Sequence, residues 1–98
     1  MTRIIGVPTL TQKTVGTVTA VKLITVERAK KVIITNVDAA NPIYIGTTAA
    51  VTSGTGTPLP AGQVLPELDL VADGSGNIEL WAISTGGNVV TGVMSGDI

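Results

Sequence analysis

The run Ile78-Glu79-Leu80-Trp81-Ala82-Ile83-Ser84, then Thr85-Gly86-Gly87-Asn88, then Val89 to Ser95, decides the fold class. The first seven residues read as a strand, with Glu79, Trp81 and Ile83 on one face and Leu80 and Ala82 on the other. The Gly-Gly turn signals a tight hairpin, and Val89 to Ser95 supplies the closing strand. Upstream, Asp73-Gly74-Ser75-Gly76-Asn77 is a strong turn signal. Gln63 to Val71 reads as another strand, with Pro66 forcing an edge position or a bulge.

The same grammar extends towards the N-terminus. Thr, Val and Ile dominate, and their branching at Cβ suits a pleated, half-buried surface. No sustained i, i+3, i+4, i+7 apolar pattern is present. Thr14 to Val26 reads as one long strand or two short ones, with Gly16 at a bend or bulge. Glu27 to Lys31 is the only dense charge cluster and is placed at a solvated turn. Val32-Ile33-Ile34-Thr35-Asn36 is a buried strand, and Ile43-Tyr44-Ile45 a short one ended by Gly46. Thr47 to Gly62 is a long loop with one short strand at Ala50-Val51-Thr52. Residues 1–12 are an extended N-terminal arm, and residues 13–98 form one domain. The expected fold is all-β: a small antiparallel β-sandwich, or jelly-roll-like barrel, of six to eight short strands.

Composition narrows the function. Charged residues are 13% of the chain, against roughly 25% in an average soluble domain. Six Lys and Arg against seven Asp and Glu give no basic excess, so binding of nucleic acid through phosphate neutralisation is not expected. No apolar window is long enough to span a membrane. Met1 to Pro8 lacks the apolar core of a signal peptide, so synthesis in the cytoplasm is expected. There is no Cys and no His, which removes thiolate metal sites, a cysteine nucleophile and the usual general base near neutral pH.

The remaining chemistry is sparse. Asp73 to Asn77 faintly resembles a calcium loop, but the position where such a loop needs a bidentate acid is Ser84, so a plain turn is the reading. Ser53-Gly54-Thr55-Gly56-Thr57 lacks the Lys and the helix that a phosphate cradle requires. Glu67, Asp69 and Glu79 are the only candidates for paired carboxylates of a glycosidase kind. Glu67 and Asp69 read more simply as the solvated side of a strand. No enzyme activity and no cofactor are expected. Trp81, in a chain without Phe, is expected to anchor the core, with a subunit interface as the alternative. Tyr44 points away from Ile43 and Ile45, its hydroxyl reaching water or a partner.

A small domain with so few charges must cover itself with Thr, Ser, Gly, Ala and aliphatic atoms. Such a surface is cheap to desolvate against another protein, and exposed strand edges add unpaired backbone groups. A homo-oligomer or lattice component is therefore expected.

A resemblance sharpens this. Val32 to Asn36, Asn41-Pro42-Ile43-Tyr44-Ile45-Gly46, Val51-Thr52, Gly56-Thr57-Pro58-Leu59 and Ala61-Gly62 are followed by Leu80-Trp81-Ala82-Ile83-Ser84 and Gly86-Gly87-Asn88-Val89. This order resembles small virion proteins of tailed bacteriophages, over about residues 32 to 93. The resemblance implies a β-sandwich decoration (cement) protein, bound to the major capsid protein on the capsid exterior and stabilising the shell. A tail, fibre or baseplate module that binds glycan is the alternative. The arm would be a tether that orders on docking. Arg3, Ile4, Ile5, Val7 and Leu10, with Tyr44 and Trp81, are the interface candidates. Gly46 and Gly62 are read as sites of positive φ or close approach, and Asn36 and Asn41 as turn caps.

Overall fold

The computed structural model of the chain describes residues 4–98. Among these residues there are eight strands and no helix: β1 (Ile5–Val15), β2 (Val21–Val26), β3 (Ala29–Asn36), β4 (Ile43–Gly46), β5 (Thr57–Leu59), β6 (Val64–Val71), β7 (Ile78–Ser84) and β8 (Val89–Asp97). They form two four-stranded sheets. Sheet A has the order β1-β8-β3-β6 and sheet B the order β2-β7-β4-β5. All pairings are antiparallel. Only β4 and β5 are consecutive in the chain and paired in one sheet. Every other connection crosses from one sheet to the other, which is the jelly-roll arrangement of a β-sandwich.

Period-two patterning explains this arrangement. Val15 of β1, Val32 and Ile34 of β3, and Val89 and Val93 of β8 point inward from sheet A. Leu23, Val26, Ile43, Ile45, Leu59, Leu80 and Ala82 meet them from sheet B. These inward aliphatic positions let the two sheets bury apolar area by stacking face to face.

The corners are built from turn chemistry. Asn36 ends β3 and is fully buried. Its Nδ2 donates to the carbonyls of Asn41 and Leu59 at 3.0 Å each, and its Oδ1 accepts from the backbone N–H of Asp38 at 3.0 Å. One side chain thus ties the end of a sheet A strand to the start and end of the β4–β5 hairpin. Asp38 Oδ2 accepts in turn from the N–H groups of Ala40 and Asn41. These N–H donors, Asn41 first, hold the Asp38 carboxyl below the usual carboxylate range. The Asp73 carboxyl is lowered likewise, first by the Ser75 hydroxyl and then by the Ser75 N–H.

Several expectations need correction. The Thr85–Asn88 turn does not make a hairpin, because β7 lies in sheet B and β8 in sheet A. It is an arch, with Gly87 at φ 151° and Gly86 packed against the Asn41 side chain. The Asn41 side chain lies there, while its backbone makes the bonds at the corner. Of the residues placed in an arm, 5–12 belong to β1, whose ladder with β8 runs without interruption from Thr9 to Val15; residues 1–3 of that arm lie outside the described residues. Ala50-Val51-Thr52 is not a strand. Val51 instead plugs the β4–β5 loop, and a Cβ at Gly56 would come within 2.8 Å of Val51 Cγ2 and 3.0 Å of the Tyr44 carbonyl carbon. Close approach is therefore what Gly46 and Gly56 permit, whereas Gly62 has φ 72°. Of the charge cluster, only Glu27 and Arg28 form the exposed turn; Lys31 is buried.

Candidate interaction surface

The two broad faces of the sandwich are dressed differently. Among the described residues, the exposed large hydrophobics that lie in strands all belong to sheet A: Ile5, Val7 and Leu10 of β1, Val64 and Val71 of β6, and Val90 of β8. Register places Leu10, Met94 and Ile33 in one row across the outer face, and Gln12, Gly92 and Thr35 in the next. Gly92 offers no side chain, so its neighbours surround an open depression of about 500 Å³. Leu10 is the most prominent wall, 71% exposed. Its lining residues, Leu10, Thr11, Gln12, Ile33, Thr35, Gly92, Val93 and Met94, include no charged group.

One end of this face is closed by the first described residues. Ile4 seats on Gly96, where a Cβ would come within 3.0 Å of Ile4 Cγ1. Between Ile5 and Thr9 the ladder is interrupted by a bulge, from which Val7 projects 94% exposed. Beside Gly96 in the register, Lys31 lies against the outer face with its Nζ 3.7 Å from both Glu67 Oε2 and Asp69 Oδ1. The two acids stand on β6 at a spacing of two, as a solvated strand face predicts. Glu67 takes a positive φ of 49° in the bulged part of that strand. The β6 bulge is the one expected around Pro66.

Sheet B carries the aromatics. Trp81 does not anchor the core, since Leu80, Ala82 and Ser84 hold the inward positions. Trp81 is half-buried on the outer face, and its Nε1 donates to Glu79 Oε1 at 3.2 Å. Glu79 also lies 3.8 Å from Lys22 Nζ. Tyr44 faces out as well and sits opposite Ile83, next to the Trp81–Gly46 pair. Carrying polar partners is the better arrangement for an indole at a surface, because its N–H cannot enter an aliphatic core unpaired.

The structure therefore splits the expected interface residues. Ile4, Ile5, Val7 and Leu10 belong to the sheet A side, and Tyr44 and Trp81 to the outer face of sheet B; Arg3 lies outside the described residues. The candidate carboxylates are split too, with Glu67 and Asp69 on sheet A and Glu79 on sheet B. Ile33, Gly92 and Met94 were not singled out by sequence reasoning. Their signal was present in the alternation of β3 and β8, but it needed the strand order to bring the two strands together. No family model matches the chain, and neither a curated protein nor a solved structure is significantly similar to it.

Proposed function

We propose that this chain is a structural protein of a bacteriophage virion, a decoration (cement) protein that binds the outside of the head and bridges major capsid subunits. The observation that carries the reading is the depression on the outer face of sheet A, whose lining is uncharged and includes Leu10, Ile33, Val93 and Met94, together with the exposed Ile5 and Val7 of the same strand β1. Contiguous apolar surface of this kind marks an interaction site. The jelly-roll order is one used by viral capsid domains, though also by lectins and cupins. A protein that binds only the assembled shell stabilises it by mass action, by roughly RT ln(1 + [L]/Kd) per site. The test is direct. Particles of the phage that encodes the chain should contain it in fixed ratio to the major capsid protein, and particles lacking it should rupture at lower temperature. Purified particles without the chain would refute the proposal.

A second reading has one observation in its favour. Trp81 and Tyr44 share an outer face with the carboxylate of Glu79, the kind of aromatic and polar pairing a sugar ring stacks on. This supports a tail, fibre or baseplate module that binds glycan. Glycan-array binding that disappears in Trp81→Ala would establish it.

A further inference from the structure

We propose that the outer face of sheet A is a self-docking surface: two copies of this chain pack it face to face about a two-fold axis, aliphatic side chains of one filling the depression over Gly92 of the other. The inference takes from the functional reading only the premise that this face is covered, and names what covers it.

Gly92 is the first ground. A glycine inside a strand weakens it and often marks close approach by another molecule. Nothing in the fold demands one here. Its φ lies outside the left-handed region, and a Cβ would meet Thr35 Cβ at 3.8 Å, an ordinary contact. The depression is thus left open by choice of residue and not by internal crowding. The second ground is self-complementarity. A two-fold contact sets a patch against itself, so knob and hole must lie on one patch and no net charge can sit at its centre. Leu10, Ile33 and Met94 are the knobs, Gly92 is the hole, and the lining is uncharged. Next along the outer face from Ile33 stands Lys31, whose Nζ lies 3.7 Å from both Glu67 Oε2 and Asp69 Oδ1.

The third ground is area. The molecule measures 36 × 27 × 19 Å, so the outline of a broad face, roughly 1000 Å² in projection, has room for the ~800 Å² per partner of a standard interface. A narrow side, 36 by 19 Å, gives only roughly 700 Å². The open edge of β1 is also poorly suited to pairing with a second β1. Lys13 lies on its inward-facing side in register with buried Thr91, and the bulge before Thr9 breaks the edge. Inward charges and bulges are the devices that block edge pairing.

Sedimentation equilibrium of the purified chain, with no shell present, tests this. The wild type should be dimeric at about 100 µM. Gly92→Glu fills and charges the depression while leaving room in the fold, and should be monomeric with an unchanged circular dichroism spectrum. Leu10→Lys, at an exposed position, should weaken association by at least about tenfold. Thr25→Lys, on the outer face of sheet B, should change nothing. A wild type that stays monomeric, or a Gly92→Glu variant that folds and still dimerises, would overturn the proposal; survival of the Gly92→Glu dimer with loss on Lys13→Pro would identify edge pairing instead. A monomer found on particles sinks this inference and leaves the function standing. A dimer absent from particles does the reverse.

Discussion

Replacing Asn36 by Ala removes the side chain that bonds the end of β3 to both ends of the β4–β5 hairpin. Three partners lose their bonds: the carbonyls of Leu59 and Asn41, and the N–H of Asp38. The Leu59 bond is buried and the other two are partly buried. An orphaned buried group costs about 1–3 kcal/mol and a partly wet one less, so the variant should lose about 3 kcal/mol. That is a large share of the ~5–15 kcal/mol that holds a domain of this size together. In thermal unfolding followed by circular dichroism, it corresponds to a fall in Tm of roughly 12–24 °C. Asn36→Asp separates bonding from shape. The carboxylate keeps the acceptor but sets a buried charge against two carbonyl oxygens, so its folded pKa is raised. Its stability should therefore be best below the ordinary carboxylate pKa and fall as pH rises through and above it. Unfolding curves at acid and neutral pH would reveal that slope. A Tm within about 3 °C of wild type for Asn36→Ala would refute the reasoning, because the corner would then be held by backbone bonds alone.

Other outcomes follow from single features. Thr91 Oγ1 is buried and has no hydrogen-bond partner among the described residues, so Thr91→Val should raise stability by about 1 kcal/mol in urea titration. Gly56→Ala forces a methyl group onto Val51 and the Tyr44 backbone, and should lower stability by about 1–3 kcal/mol in the same assay. Asp38 and Asp73 both have lowered folded pKa values, so their contribution is fully present above the ordinary carboxylate pKa and is lost as pH falls through the lowered values. Wild type should accordingly lose part of its stability in strong acid, and Asp38→Asn should lose less over the same range.

Strand content was legible in the residues because β-branched alternation and Gly, Pro and Asn punctuation are local properties. Val32–Asn36, Ile43–Gly46 and Ile78–Ser84 are strands for that reason. Sheet membership was not legible. A Gly-Gly turn between two half-apolar strands serves a hairpin and an arch equally well, and what decides is whether β7 and β8 gain more by pairing or by stacking. Trp81 misled for a related reason: size argued for the core, while alternation had already put it with Glu79 on the other face. The candidate surface was half legible. Leu10 was among the interface candidates, but Ile33, Gly92 and Met94 become its neighbours only when β8 lies between β1 and β3.

The central position of β8 in sheet A bears on synthesis. β1 is made first and β8 last, yet β1 touches the rest of its sheet only through β8. While Val89–Asp97 is still inside the ribosomal tunnel, β1 has no ladder to join and β3 lacks its ladder partner on that side. Folding of this domain must then wait until Val89–Asp97 has emerged, and it is slow as non-local sheets are. A nascent chain stalled just short of Val89 should be protease-sensitive throughout, and one extended by a linker beyond Asp97 should become resistant in a single step.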